Sequence, residues 1–458
     1  MLNRRSIPNL AIGHVAIIGG GFSGALQAIN LLRHEGPRAT LIERRAEAAR
    51  GIAYSAAHPD HLLNVRAGNM SALPQEPDHF ARWIERRHPA LAGGFAPRLL
   101  YGDYLAELLD QARETAPDRL NLIQAEAIDV APDGEGWRVK LADGREIAAD
   151  AVILAPGNLP PHIPAGIDAD ALPPGCFVAE PWSGDVAGGL AADDVVLVIG
   201  SGLTMIDIAL LLDARGFAGT IIAISRHGLC PRAHASVIAS TLDERPPPSA
   251  TGLLRHVRAR SRAIGWRAAV DELRPYTESL WTAADLDERR RFLRHLRAWW
   301  DVHRHRIAPQ VAAKIATMQA DGRLQIIAGT LTEAVAEGSG ACVRYRPRGR
   351  EDLVTLTARR IIDASGPQGD LLRTEEPLLR RLLDRGLIRP DSLRIGIDVT
   401  RQSETIGADG AACPTLLALG PMTRGTFWEI VAVPDIRRQT WAVARKLSNA
   451  HWVGGEGL

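Results

Sequence analysis

The 458-residue sequence predicts an α/β fold of two Rossmann-like dinucleotide-binding domains, each with an antiparallel β-meander, plus a helical insert. Three observations predict it. A run of glycines joins a β-branched apolar stretch to an amphipathic one in "HVAIIGGGFSGALQAINLL". The same plan returns in "DVVLVIGSGLTMIDIALLL". After each copy comes a stretch of alternating polar and apolar residues that ends in a buried strand and a small-residue turn. A chain of this length exceeds what one hydrophobic core usually organises, so at least two domains are expected.

The first element is strand, turn and helix. Val15 to Ile18 supplies the strand, Gly19, Gly21 and Gly24 stand in G-x-G-x-x-G spacing, and Ala25 to Leu32 begins a helix. Gly19 permits the tight turn, Gly21 lets a pyrophosphate reach the backbone, and Gly24 lets the helix pack close to the strand. The second strand, "ATLIE", ends in Glu43 about 20 residues further on, where a carboxylate accepts hydrogen bonds from a ribose diol. Phe22, Ser23 and Arg44 complete the candidate cofactor contacts of this cradle.

The downstream copy offers Gly200, Gly202 and Thr204, but Met205 occupies the third glycine position, which would hold this helix farther from its strand. Its next strand, "TIIAIS", ends in Ser225, Arg226 and His227 instead of an acid. An arginine there can pair bidentately with a 2′-phosphate, which leans toward NADPH over NADH.

Two meanders follow the two copies. One runs over 121–157 with Asp-Gly turns at Asp133 and Asp143 and closes at Ala155-Pro156-Gly157; the other closes at Ala364-Ser365-Gly366. A meander inserted twice before the last strand of a nucleotide-binding unit is the organisation of flavoproteins that hold FAD in one domain and a nicotinamide nucleotide in another. The expected boundaries are 1–160 with 367–458 for the FAD domain and 161–366 for the NAD(P)H domain. Within the latter, 251–320 is arginine-rich with helical apolar spacing and four tryptophans at 266, 281, 299 and 300, which reads as a helical insert, its charges a solvated face, serving as a cap over the nicotinamide site or a dimer contact. After Gly366 come strand-like pieces "RIGIDVT" and "TLLALGP" and a last helix opened by Pro434 and Asp435. Gly420-Pro421 stands before that helix, leaving ribityl contacts to backbone or to Thr423 and Thr426.

Lys plus Arg at 54 against Asp plus Glu at 53 leaves a formal charge of +1, which makes no electrostatic case for nucleic acid or an anionic membrane; a small-molecule substrate is expected. Cys176, Cys230, Cys342 and Cys413 are too far apart in sequence for a C-x-x-C redox pair or a zinc spacing. No apolar run approaches a membrane span, and the apolar residues after "MLNRRSIPNL" belong to the glycine motif, so the chain reads as cytoplasmic. "HRHR" from His303 is not read as a metal site, because residues two apart on a helix face different ways. Oligomeric state, including a homo-oligomer, stays open.

Beyond the glycine motifs, "GIAYS", "HLLNVRAGNMS", "GSGLTMID", "SRHGLCPRAH" and "GPMTRGTFWEIVAVPDIR" resemble the FAD/NAD(P)-binding proteins that include FAD-dependent urate hydroxylases and aspartate N-monooxygenases. The resemblance spans nearly the whole chain. It implies a flavin monooxygenase in which NAD(P)H reduces FAD, O2 adds at flavin C4a, and the hydroperoxide delivers one oxygen atom to a nucleophilic carbon or nitrogen. Urate hydroxylation to 5-hydroxyisourate is the leading expectation, with Arg66, Arg232 or Arg424 as donors to the purine anion. N-hydroxylation of an amino acid such as aspartate is the alternative, and an FAD-binding redox sensor the non-enzymatic one. Candidate catalytic residues are Asn64, Arg424 and Glu429; Asn64, Ser71, Gly157, Gly420 and Thr426 are candidate flavin contacts.

Overall fold

The structure is a computed structural model that describes residues 12–55, 58–182, 184–238, 240–242 and 244–448. In chain order, β1 (His14–Ile18), α1 (Phe22–Arg33) and β2 (Arg38–Glu43) open the first domain, followed by α2 (Gly51–Ser55), α3 (His79–Arg87) and α4 (Arg98–Thr115). Next come β3 (Leu120–Gln124), the meander β4 (Ala127–Asp133), β5 (Gly136–Leu141) and β6 (Glu146–Ala149), and β7 (Ala151–Leu154). The second domain begins with β8 (Phe177–Val178), β9 (Val195–Ile199), α5 (Leu203–Ala214) and β10 (Thr220–Ser225). Helices α6 (Ala250–Ile264), α7 (Trp266–Leu273), α8 (Thr277–Ala283), α9 (Leu286–His295) and α10 (Arg297–Arg304) precede α11 (Pro309–Ala320). Then β11 (Leu324–Glu337), β12 (Gly340–Pro347), β13 (Val354–Ala358) and β14 (Arg360–Asp363) complete it, and the chain returns through α12 (Pro377–Asp384), β15 (Glu404–Ile406), β16 (Ala412–Ala418) and α13 (Val433–Leu447).

The first sheet has the order β15-β16-β7-β1-β2-β3, with β16, β7, β1, β2 and β3 parallel. Val15, Ala16 and Ile17 are fully buried because both faces of this parallel sheet are covered, which is why β1 reads as a continuous apolar run. Helices α1, α4 and α13 pack on one face; the separate β4-β5-β6 sheet and α12 pack on the other. The two Asp-Gly turns of that meander place Gly134 at φ +62 and Gly144 at φ +88, the left-handed region glycine tolerates.

The second sheet has the order β13-β12-β11-β10-β9-β14-β8. Its meander is continuous with the nucleotide sheet: β11 pairs in parallel with β10 and, farther along, antiparallel with β12, with a shift between Leu331 and Glu333. Helix α11 buries Val311, Ile315 and Met318 in the same core as α5. It is therefore the crossover helix of this domain, and the inserted element is narrower than expected, ending with α10. The expected strand "RIGIDVT" forms only isolated bridges, Pro390 to Ile397 and Val399 to Thr405. Asp391 accounts for this: its carboxylate accepts the N–H groups of Leu393 and Ile395, which holds a turn where a strand would need those donors free.

Candidate active site

The amino-terminal cradle is built by backbone proximity. Gly19 takes φ +97, and a Cβ there would lie 2.2 Å from the Ala155 carbonyl oxygen; a Cβ on Gly24 would lie 1.8 Å from that of Gly19. The strand end, the turn and the β7 turn thus press together only because those residues lack side chains. Gly21 differs, since its Cβ would meet nothing nearer than the Gly51 Cα at 3.5 Å. Helix α1 is capped by Gly21 without a side-chain hydrogen bond, so its first-turn N–H groups stay open toward an anion. Glu43 is buried at the end of β2; Oε2 accepts the Gly20 N–H at 2.7 Å and Oε1 the Arg45 N–H at 2.9 Å. These bonds fix the carboxylate and leave lone pairs for a ribose diol. The cradle fits a dinucleotide.

Other candidates of this cradle have structural duties. The Phe22 ring packs on Tyr54 and Tyr101 at 6.3 and 6.2 Å. Arg44 is held by Glu376 at 3.1 Å and Glu126 at 3.6 Å. Gly157 takes φ +72 beyond β7, with open space where a Cβ would be.

The second cradle repeats the turn. Gly200 takes φ +113, and a Cβ there would lie 2.2 Å from the Ala364 carbonyl oxygen, while Gly202 has nothing within 4 Å. Helix α5 again starts from a glycine cap without a side-chain bond, with Thr204 in its first turn. Met205 is fully buried in the core shared with α11, so the bulk expected to push the helix away is absorbed as packing. The Ser201 hydroxyl reaches Ser225 Oγ at 2.7 Å, which locks the turn to the end of β10. Arg226 is exposed there with no ion pair among the described residues. His227 lies near both Arg226 and Arg348; burial first, then these two charges, hold its pKa below the usual histidine value. The cationic end of β10 suits a phosphate.

The returning segment joins the first cradle at Gly420, whose φ is +76 and whose Cβ would lie 2.5 Å from Ser23 Oγ. Thr423 donates to the Gly420 carbonyl at 2.8 Å, Thr426 to that of Val399 at 2.9 Å, and Ser71 to that of Glu76 at 2.6 Å. Each hydroxyl spends its proton on a turn carbonyl, as buried main-chain oxygens require. Ser71 Oγ also accepts the Leu73 N–H at 3.1 Å and Thr423 Oγ1 accepts from Gln439 Nε2 at 3.1 Å, so both hydroxyls act as donor and acceptor within the protein.

Arg424 and Glu429 do not pair with each other among the described residues. Trp300 Nε1 donates to Glu429 Oε1 at 2.9 Å, and Arg304 Nε lies 3.3 Å from Oε2. Burial alone would raise the Glu429 pKa, but Arg304, His305 and Arg274 outweigh it and hold the group below the ordinary range. Arg424 has no carboxylate within ion-pair distance among the described residues. Burial, and then the charge of Arg297, push its pKa down to about 10, which leaves it cationic at neutral pH.

The partners of Glu429 come from the insert. Arg290, Arg291 and Arg294 of α9 are exposed, as the expected solvated face has them, while other insert residues clasp the return segment. Trp281 stacks on Trp428 at 4.6 Å and donates to the Gly425 carbonyl at 2.9 Å, and Arg274 pairs with Asp435. Trp300 and Arg304 are four apart on α10 and so share a face. That spacing was the available sequence signal, but nothing local says which segment the face meets.

Asn64 stands at the seam between domains, lining a tight crevice with Arg98, Leu203 and Asp207. Its carbonyl oxygen lies 2.9 Å from His234 Nε2 of the second domain. Arg66 stacks 5.1 Å over Phe95, and Arg232 is an exposed residue whose N–H donates to the Val302 carbonyl. The structure therefore gathers Gly19, Gly21, Ser23, Gly24, Glu43 and Gly420 at one cradle and Gly200, Gly202, Thr204 and Arg226 at the other. Arg424 and Glu429 lie between the return segment and the insert.

No group of three or more potential metal ligands occurs among the described residues, and no described helix is long and apolar enough to cross a membrane. All four cysteines are free, and burial pushes the Cys230 thiol up to about 11, which leaves it without thiolate character.

Residues 16–159 match the model of an FAD-NAD(P)-binding family. No curated protein matches the sequence significantly. Among solved structures, ornithine hydroxylase from Pseudomonas aeruginosa superposes with a TM-score of 0.66 at 16% identity, covering 96% of this chain and 99% of that one. L-lysine 6-monooxygenase from Pseudomonas syringae gives 0.65 at 15%, with 96% and 99% covered. The FAD-bound cadaverine monooxygenase from Erwinia amylovora gives 0.68 at 12%, with 96% and 95% covered. Thioredoxin reductase from T. acidophilum also matches, at 0.53 and 14% over 96% and 99%. The fold is that of the FAD/NAD(P)-binding flavoproteins.

Proposed function

We propose that the protein is an FAD- and NADPH-dependent monooxygenase that N-hydroxylates the primary amine of a small molecule. The observation that carries this reading is the whole-chain superposition, at TM-scores of 0.64 to 0.68, on monooxygenases acting on ornithine, lysine or cadaverine. The same neighbours favour N-hydroxylation over the expected urate chemistry, which none of them shares.

FAD, when bound and reduced by the nicotinamide nucleotide, supplies the oxygen activation. Gly19, Gly21 and Gly24 with the open N–H groups of α1 would hold its diphosphate, and Glu43 its adenosine ribose. Gly200, Gly202 and Thr204 would hold the nicotinamide dinucleotide, with Arg226 on a 2′-phosphate. Arg424, cationic and without an ion pair among the described residues, is the anion receptor of the site and takes a substrate carboxylate where there is one. Glu429, kept ionised by Arg304, orients the segment that carries Arg424. The packing of Trp281 on Trp428 excludes water from that segment.

The test is purified yellow protein mixed with NADPH and, in turn, ornithine, lysine, cadaverine, aspartate and urate. One amine should accelerate NADPH consumption and yield a hydroxylamine in proportion. Acceleration by urate alone, or peroxide as the only product with every amine, would overturn the reading.

A further inference from the structure

The seam between the two domains holds a buried polar assembly that neither cradle needs. Asp207, in the second turn of α5, is buried and pairs with Arg98 of the first domain: Arg98 Nη1 lies 2.7 Å from Oδ2, and Nη2 donates to Oδ1 at 3.2 Å. Arg98 also donates through Nε to the Leu62 carbonyl at 3.3 Å, and its own N–H donates to the His61 carbonyl at 2.9 Å. His61 is fully buried and faces the same helix. Its Nδ1 accepts the His58 N–H at 3.1 Å, so Nε2 carries the proton and donates to the Asp207 carbonyl at 2.9 Å. Both the side chain and the main-chain oxygen of one residue on the nicotinamide helix are thus held by the first domain.

The packing around the assembly runs the same way. Phe95 belongs to the first domain by sequence, yet it is buried in the second domain's core, with Leu62 packed beside it. His234 adds the bond to the Asn64 carbonyl from the loop after β10. Segment 61–64 is therefore gripped from α5, from that loop and from the start of α4. It also carries Asn64, the candidate flavin contact.

We infer that Asp207 is a positioning residue: its two-point attachment to Arg98 and His61 sets the angle at which the second cradle presents its nucleotide to the first. The chemistry requires such a device. A buried bidentate ion pair together with a separate carbonyl hydrogen bond fixes rotation as well as distance, whereas apolar packing alone fixes mainly distance. Two domains that exchange a hydride need donor and acceptor atoms about 3 to 3.5 Å apart, and small misplacements are costly. This inference rests on the two-nucleotide reading above.

Two variants test it. Asp207→Asn removes one charge; the double variant Arg98→Met/Asp207→Leu replaces the pair with apolar residues of similar size, which buried pairs often tolerate without loss of stability. Both should bind FAD at wild-type stoichiometry and be reduced by dithionite at the wild-type rate. Amide exchange in segment 61–64 of the FAD-loaded protein, without NADPH, should be at least tenfold faster in both. Anaerobic flavin reduction by NADPH should be at least tenfold slower, and Asp207→Glu should recover part of that loss. Exchange and NADPH reduction within twofold of wild type in the double variant would overturn the inference, as would the same outcome in Asp207→Asn should the double variant not fold. Wild-type flavin that neither NADPH nor NADH reduces would instead overturn the two-nucleotide reading, with the exchange data still deciding the role of Asp207.

Discussion

The two cradles use the same turn for different ends. In the first, Gly19 and Gly24 are both places where a Cβ would penetrate a carbonyl, and the strand that follows ends in a buried carboxylate tied to the turn. In the second, only Gly200 has that constraint; Met205 fills the core where the third glycine would be, and the next strand ends in an exposed arginine. The first cradle is closed tightly on its own backbone, as suits a cofactor that stays. The second is looser and cationic, as suits a nucleotide that comes and goes. In the first motif both outer glycines serve the fold, in the second Gly200 alone does, and the middle glycines, Gly21 and Gly202, leave room beside the turn.

The largest effect that would break this comparison is expected at the outer glycines. Gly19→Ala and Gly24→Ala in the first cradle, and Gly200→Ala in the second, force a Cβ to within 2.2 Å or less of a carbonyl oxygen. Each should cost several kcal/mol, on the order of half a domain's stability. Soluble yield and flavin-to-protein ratio are the measurements; a yellow, stable Gly24→Ala protein would mean the close approach is not required.

Next is Met205→Gly, which makes the second motif conform. A glycine would suit close nucleotide approach, but the emptied core and the added backbone freedom should destabilise the protein by about 3 to 5 kcal/mol in denaturant titration. A gain in stability would show that the methionine is a compromise and not packing.

A smaller effect distinguishes the strand ends. Arg226→Ala should lower kcat/KM for NADPH about tenfold, equivalent to ~1.4 kcal/mol, and leave NADH within twofold. Equal losses with both nucleotides would move the 2′-phosphate elsewhere.

The smallest effect on the fold is expected at the middle glycines. Gly21→Ala and Gly202→Ala meet only ordinary contact or open space. Denaturant midpoints should hold to within ~0.5 kcal/mol, while binding falls selectively, FAD for the first and NADPH for the second. Unfolding of either variant would erase the division of labour between outer and middle positions.

Much of this was legible in the sequence because it is local. The strand-turn-helix units, the Asp-Gly meander turns, Glu43 and Arg226 are read from periodicity and from residue types whose backbone preferences act over a few positions. The limits of α11 and the turn at Asp391 were not, because side-chain bonding and core membership overrode the local pattern. The insert shows the reason most sharply: Trp300 finds Glu429 across 129 positions of chain. Its helical spacing specifies a face and no partner.

The sequence alone therefore determined that two glycine-rich strand-turn-helix units exist, that only the first keeps the third glycine, and that one following strand ends at an acid and the other at an arginine, since each is written within one supersecondary unit. The tertiary structure decided that the insert clasps the return segment, that Arg424 has no carboxylate within ion-pair distance among the described residues, and that Asp207 is held by Arg98 and His61. Those outcomes depend on which buried polar groups satisfy one another across domains, and that pairing is settled only when the whole chain has packed.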